Sequence, residues 1–211
     1  MWYEMLPAQS TNPFQPFSWE WPTPNGSRLA SGAPGPTYWQ QSADYKIAVS
    51  LDDVRQRLTG DETVTYHNNS LHTLAYLWMQ LDQNLRKPDA MLRQLTQGKS
   101  FSNPIQYDRH FTQEPTFKGG IEDLQVTSAG RPVTHTVVET NMRIDLAKPL
   151  LPGDSVQLQL HWSFAINDAR AAEGRSGYEY FPEDGNYIYE IAQFYPRMCV
   201  YDDVKGWENQ P

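Results

Sequence analysis

The sequence is poor in cysteine and in positive charge, and it has no long apolar run. One cysteine, Cys199, stands in 211 residues. A lone thiol excludes an intramolecular disulfide and any cysteine-built zinc site within one chain. No stretch approaches the roughly 18 consecutive apolar residues that cross a bilayer as a helix. Lys and Arg number 17 against 25 Asp and Glu, a net charge of −8. Such a chain lacks the electrostatic footprint of a nucleic-acid binder and is repelled by anionic lipid. Its start, MWYEMLPAQSTNPF, carries neither a basic segment nor an apolar one, so no secretory signal is visible and the compartment is left open.

Catalytic signatures are also missing. There is no GxSxG elbow, no GxGxxG, no P-loop and no HExxH helix. The histidines, His67, His72, His110, His135 and His161, are scattered without metal-ligand spacing. The chain itself is therefore expected to hold no metal or other cofactor and to be inactive alone. Asp52-Asp53, Glu183-Asp184 and Asp202-Asp203 suit turns, and Cys199 in Arg-Met-Cys-Val-Tyr suits a buried, inert thiol. Asn25-Gly-Ser and Asn68-Asn-Ser match the glycosylation sequon, both in turn-like contexts.

What is abundant is aromatic: 7 Trp, 12 Tyr and 8 Phe, or 13% of residues. Aromatic and β-branched residues favour strands. Residues 1–36 nevertheless read as an irregular arm, interrupted by Pro7, Pro13, Pro16, Pro22, Pro24, Pro34 and Pro36. Trp2, Tyr3, Phe14, Phe17, Trp19 and Trp21 make the arm costly to leave in water, so it packs on its own domain or on a partner.

Residues 37–211 read as one β domain. Tyr45, Ile47, Val49 and Leu51 alternate, and residues 58–67 answer them as the second half of a hairpin, with Gly60 as an interruption. Residues 74–81, apolar on both faces, suit a central strand. A short helix is expected over 89–97 and a long loop over 100–118. Strands return at 121–127, 133–139 and 142–146, before the turn Leu151-Pro152-Gly153-Asp154. Val156, Leu158, Leu160, Trp162, Phe164 and Ile166 then alternate without a fault, with His161 on the opposite face. Residues 167–177 suit a loop, and 186–195 a last strand. The sum is about eight hairpin-linked strands with little helix, an all-β antiparallel sandwich.

Four segments read together resemble the N-terminal region of M1 zinc aminopeptidases of the aminopeptidase N and leukotriene-hydrolase type, in the bacterial branch. They are PGPTYWQQSADYKIAVSLDD (34–53), LTGDETVTYHNNS (58–70), LAYLWMQLDQN (74–84) and YEIAQFYPRMCVYDDVKGW (189–207). The resemblance implies a saddle-like β domain ahead of a thermolysin-like catalytic domain, whose GxMEN and HExxH motifs are not in this chain. It implies a β domain that stops before its last strands. Zinc and the release of N-terminal amino acids from peptides would belong to the catalytic domain, the expected partner. It implies that Gln193 lines the first substrate pocket. Tyr195 stands where many members carry Glu or Gln to hold the peptide amino group, and a phenol supplies no such anion at neutral pH. Two other readings stay open. One is a free-standing β-sandwich module that binds glycan or protein through exposed aromatics. The other is a pseudoenzyme scaffold.

The unbroken stripe generates a first prediction. Trp162→Ala should cost about 3–5 kcal/mol of stability through lost burial and a cavity. Urea denaturation measures it, and a loss below about 1 kcal/mol would put the core on the other face.

Overall fold

The computed structural model describes residues 24–91, 117–169 and 176–209. The chain divides into two compact units, Met1–Tyr38 and Trp39–Pro211. The described part of the first is a tight loop. Asn25 Oδ1 accepts the backbone N–H groups of Ser27 and Arg28, and an isolated bridge joins Arg28 to Pro34.

The second unit is built from antiparallel strands. In chain order they are β1 (Ser42–Asp52), β2 (Arg57–His67), β3 (Leu74–Gln80), β4 (Glu122–Ser128), β5 (Arg131–Pro132), β6 (His135–Val138) and β7 (Asn141–Leu150). Then follow β8 (Ser155–Ala165), β9 (Ser176–Phe181), β10 (Asn186–Ile191), β11 (Arg197–Met198), β12 (Val200–Asp202) and β13 (Gly206–Glu208). One sheet has the order β1-β2-β8-β4-β5, a second β11-β3-β7-β6, and β9/β10 and β12/β13 form separate hairpins. Among the described residues no strand order closes into a barrel. A 3-10 turn at Asp82–Arg86 follows β3. The all-β antiparallel architecture expected from the sequence is the one observed.

The core lies between the inner faces of the two large sheets. Leu58, Val64, Tyr66, Leu158, Leu160, Trp162 and Phe164 come from β2 and β8. Leu74, Leu77, Met79, Met142, Ile144 and Leu150 come from β3 and β7. In the alternating stripe, Leu158, Leu160, Trp162, Phe164 and Ile166 are buried and Val156 is half-buried. His161 points outward, its Nδ1 2.8 Å from Asp61 Oδ1. β3 is central, as its composition suggests. A bulge between Leu74 and Tyr76 lets Leu74, Leu77 and Met79 all face inward. Its outer side is only half-buried, with the Arg143 guanidinium 4.2 Å from the Tyr76 ring centroid.

Several expectations need correction. Gly60 does not interrupt β2. It sits within the strand opposite Trp162, and the indole occupies the space a Cβ would fill. β7 runs on to Leu150, beyond the short strand expected at 142–146. The end of the 167–177 loop is strand, because Ser176 and Gly177 pair with Ile191 and Glu190. β5, β11, β12 and β13 have two or three residues each, too few to show any periodicity. Most of the helix expected at 89–97 and of the loop at 100–118 lies outside the described residues.

Asn68 is more than a turn residue. It is fully buried, its Nδ2 donates to the carbonyls of His72 and Leu150, and its Oδ1 accepts from Gln41 Nε2 and Ser70 Oγ. Its backbone exchanges bonds with Gly153 and Asp154, so it ties the β2–β3 and β7–β8 connections together. An amide so enclosed is closed to glycosylation. Gly153, at φ +84°, supplies the left-handed position that this second connection needs.

Gly60→Ala should therefore destabilise the protein by about 1–3 kcal/mol, through overpacking against Trp162. The double variant Gly60→Ala/Trp162→Phe should lose less than the sum of the two single losses. Urea melts of the two single variants and the double measure the difference, and additive losses would show that the indole is not the obstacle.

Candidate functional site

The sequence singles out Gln193 and Tyr195, and both lie on the strap that carries the chain from β10 to β11. The strap is fixed from below by Gln83, a buried residue of the 3-10 turn. Its Nε2 donates to the carbonyls of Ala192 (3.1 Å) and Gln193 (3.2 Å), while its Oε1 accepts from Arg86 Nη1. Gln193 is held at φ +53°, and its side chain is exposed. A non-glycine residue in that region is costly unless its surroundings impose it.

Beyond Gln193 the strap turns inward. Phe194 reaches Trp162, at 6.3 Å between ring centroids, and Tyr195 meets Tyr45 edge-on at 5.6 Å. The far end is fastened twice. Arg197 makes a forked ion pair with Asp82 (2.9 and 3.2 Å), and Tyr45 Oη accepts the Met198 N–H at 2.9 Å. So Gln193 and Tyr195 share one strap but point to different places, the amide to solvent and the phenol into the apolar packing.

Under this strap lies a group that the sequence reading passed over. Glu62 is 2% exposed, on the inner face of β2, in one row with Ile47 and Leu160. Among the described residues neither carboxyl oxygen has a hydrogen-bond partner. Desolvation by burial pushes its pKa up to about 8; the Trp162 indole N–H, which favours the charged form but completes no bond to the carboxyl, offsets little of that rise. The signal was available: Leu58, Gly60, Glu62, Val64 and Tyr66 share one parity, and an acid within that set breaks the pattern.

A solvent-exposed acid-base role does not follow. An open groove of about 450 Å³ runs over the same rows, and Ile47, Glu62 and Leu160 themselves line it beside outward-facing residues such as Lys46, Asp61 and Gln159. The Glu62 oxygens are closed to solvent. Cys199 is buried too, and its thiol is pushed up to about 11, which removes it as a nucleophile. Ser163 Oγ donates to Asp123 Oδ2 at 2.7 Å and accepts from Arg57. The nearby His161 ring is bound to Asp61, so among the described residues no histidine serves this serine as a base, and Asp123, its pKa lowered by the Ser163 and Arg57 contacts, is a weak one.

The described histidines do not converge. His67 contacts Asp44, His72 contacts the Tyr201 hydroxyl and His135 contacts its neighbour's Val133 carbonyl. Among the described residues no three His, Cys, Asp or Glu side chains gather as a metal site. His110 lies outside the described residues.

No protein-family model and no curated protein matches the chain. Among solved structures it is similar to mutant forms of an M1 zinc metallopeptidase from Deinococcus radiodurans, one of them bound to a Tyr-Ser-Ala substrate. Identity is 13% and the TM-score 0.37, over 64% of this chain and 23% of that chain. A two-domain M1 zinc metallopeptidase mutant bound to L-tryptophan gives 14% identity and a TM-score of 0.36, over the same shares. The chain thus corresponds to about a quarter of the length of the structures it resembles.

The carboxyl generates a pH prediction. Its native pKa is raised from the usual 4.5 to about 8. Below the lower value both states are protonated and the contribution is intact. Between them only the unfolded chain ionises, so stability falls as pH rises, by about 1.4 kcal/mol per unit. Glu62→Gln should abolish that slope, and the variant should gain on the parent from pH 5 to pH 8 in urea melts. A parent that gains on the variant over that range would mean an ionised, paired Glu62.

Proposed function

We propose that this chain is a non-catalytic β domain of an M1-like zinc metallopeptidase, which packs on a catalytic domain and lines its substrate pocket with Gln193. Zinc, and the release of N-terminal amino acids from peptides, would belong to that other domain. The observation that supports the reading is the presentation of Gln193. Its backbone is forced into the left-handed region, its carbonyl is clamped by a buried amide, and its own side-chain amide is left facing outward. Rigid placement of a neutral donor and acceptor suits the recognition of a peptide backbone. Tyr195, turned into the packing against Tyr45, leaves the amino-group contact of the substrate to other residues.

The test takes the complete reading frame to which this chain belongs. An HExxH-bearing domain should follow, and the whole protein should hydrolyse aminoacyl anilides. Gln193→Ala should then raise KM by about 3- to 10-fold with little change in kcat, the worth of one neutral hydrogen bond. A frame without that domain, or an unchanged KM, overturns the reading.

A separate observation favours a second reading, a glycan-binding module. Tyr178, Tyr180, Tyr187 and Tyr189 share one face of the β9/β10 hairpin, with centroids 4.9–6.4 Å apart. Tyr180 and Tyr187 are 40% and 39% exposed. Their rings are mutually tilted by 39–76°, which makes a poor flat platform for a sugar ring. Saturable quenching of tyrosine fluorescence by neutral oligosaccharides, lost in Tyr180→Ala, would raise this reading above the first.

A further inference from the structure

Strand β1 is an edge of the five-stranded sheet. Among the described residues it pairs with β2 alone. Eleven residues long and without proline, it offers a row of backbone donors and acceptors, the usual template for another strand. Its inner face should be covered, yet Val49 is 51% exposed and Leu51 43%. The apolar row Ile47, Val49, Leu51 therefore runs out past the cover that the second sheet provides. On the other face of the strand stand Asp44, Lys46 and Asp52. Lys46 is exposed and has no ion-pair partner among the described residues.

We propose that β1 is a homodimer interface, in which two copies pair edge to edge and antiparallel about a two-fold axis at Val49. A two-fold perpendicular to the sheet keeps inner face beside inner face. With the axis at Val49, Val49 meets its own copy, Ile47 meets Leu51 on both sides of the axis, and Lys46 meets Asp52 on both sides. Cross-strand partners of this kind lie about 4.5–5.5 Å apart at Cβ and stabilise a ladder pair by pair.

Neighbouring registers fail on charge or burial. An axis at Ala48 sets Asp44 against Asp52 twice. An axis at Ser50 sets Ile47 against Asp53 and carries Lys46 beyond the strand. An axis at Tyr45 pairs Asp44 with Lys46 but leaves Val49 and Leu51 outside the contact. An axis at Ile47 covers the apolar row but sets Lys46 against Ala48 and Asp52 against Ser42, so no charges pair. Of these registers the Val49 one satisfies the apolar row and the charges together, and it does so with one patch used twice. That self-complementarity is the mark of an isologous interface and points to a second copy as the occupant. Asp52 accepts the N–H groups of Val54 and Arg55 and the Arg55 side chain, so it is already held in place to receive Lys46.

Sedimentation of the full chain should show a reversible dimer. Val49→Lys, which puts two like charges on the axis, should return a monomer. Lys46→Asp should weaken the dimer about tenfold or more, and Lys46→Asp/Asp52→Lys should restore it. Because Asp52 also supports its own turn, a cysteine pair gives an independent check. Val49→Cys should oxidise to a covalent dimer that reductant cleaves, whereas Ser50→Cys, opposite Ala48, should not. Circular dichroism melts confirm that each variant is folded. A monomer at every concentration, open-ended polymers, a dimer indifferent to Val49→Lys, or equal cross-linking at 49 and 50 overturns the proposal. The inference stands or falls independently of the peptidase reading, since it concerns only this chain's own sheet edge.

Discussion

The pairing of β2 with β8 is the constraint on which the rest of the second unit depends. The two strands run in unbroken register from Arg57 opposite Ala165 to His67 opposite Ser155. Because side chains alternate at period two, that single register decides which face of both strands is core. It places Trp162 across Gly60, Leu160 beside Glu62, and Leu158 beside Val64. A slip of one residue would send His161 and Ser163 inward and expose the indole. The cost of such a slip, several large side chains moved into water, is why the ladder tolerates no bulge along its length.

The candidate site is a consequence of that ladder rather than an addition to it. Trp162, fully buried, gives Phe194 something to lie against, and Tyr45, on the neighbouring β1, gives Tyr195 and Met198 their anchors. The strap between β10 and β11 has little regular structure of its own. It is held by aromatic contacts, the Gln83 amide and the Arg197–Asp82 fork. A segment fixed at both ends and underneath can keep one residue, Gln193, in a backbone conformation that it would not choose alone. The same packing carries a burden. Glu62 is enclosed without a hydrogen-bond partner among the described residues, so part of the stability depends on pH in a region where an apolar residue would be neutral.

Legibility followed the length of the pattern. The β1–β2 hairpin and β8 were readable because each offers many alternating residues, so chance agreement is small. β11, β12 and β13 were not readable, since strands of two or three residues carry no period; β11 exists because β3 presents an edge to it, and β12 and β13 pair only with each other. Gly60 was misread as a break because glycine usually marks one, whereas here it makes room for a ring contributed by residues a hundred positions away. Glu62 was passed over because attention fell on the apolar members of its strand. Gln83 could not be found at all from sequence, since its importance lies in carbonyls that only the fold brings above it.

By itself, then, the amino-acid sequence determined the class of the structure and its face assignments. Aromatic content, strict alternation and turn residues are local properties, and they fix strand identity and which side of each strand is apolar. The tertiary structure alone decided what stands next to what: that the Glu62 carboxyl is sealed under Trp162, that Asn68 joins two distant turns, that Gln193 is clamped by Gln83, and that β1 is left at an edge with Val49 and Leu51 uncovered. Those are relations between residues far apart in the chain. No local propensity encodes them, because burial and partnership are set by the whole arrangement of sheets.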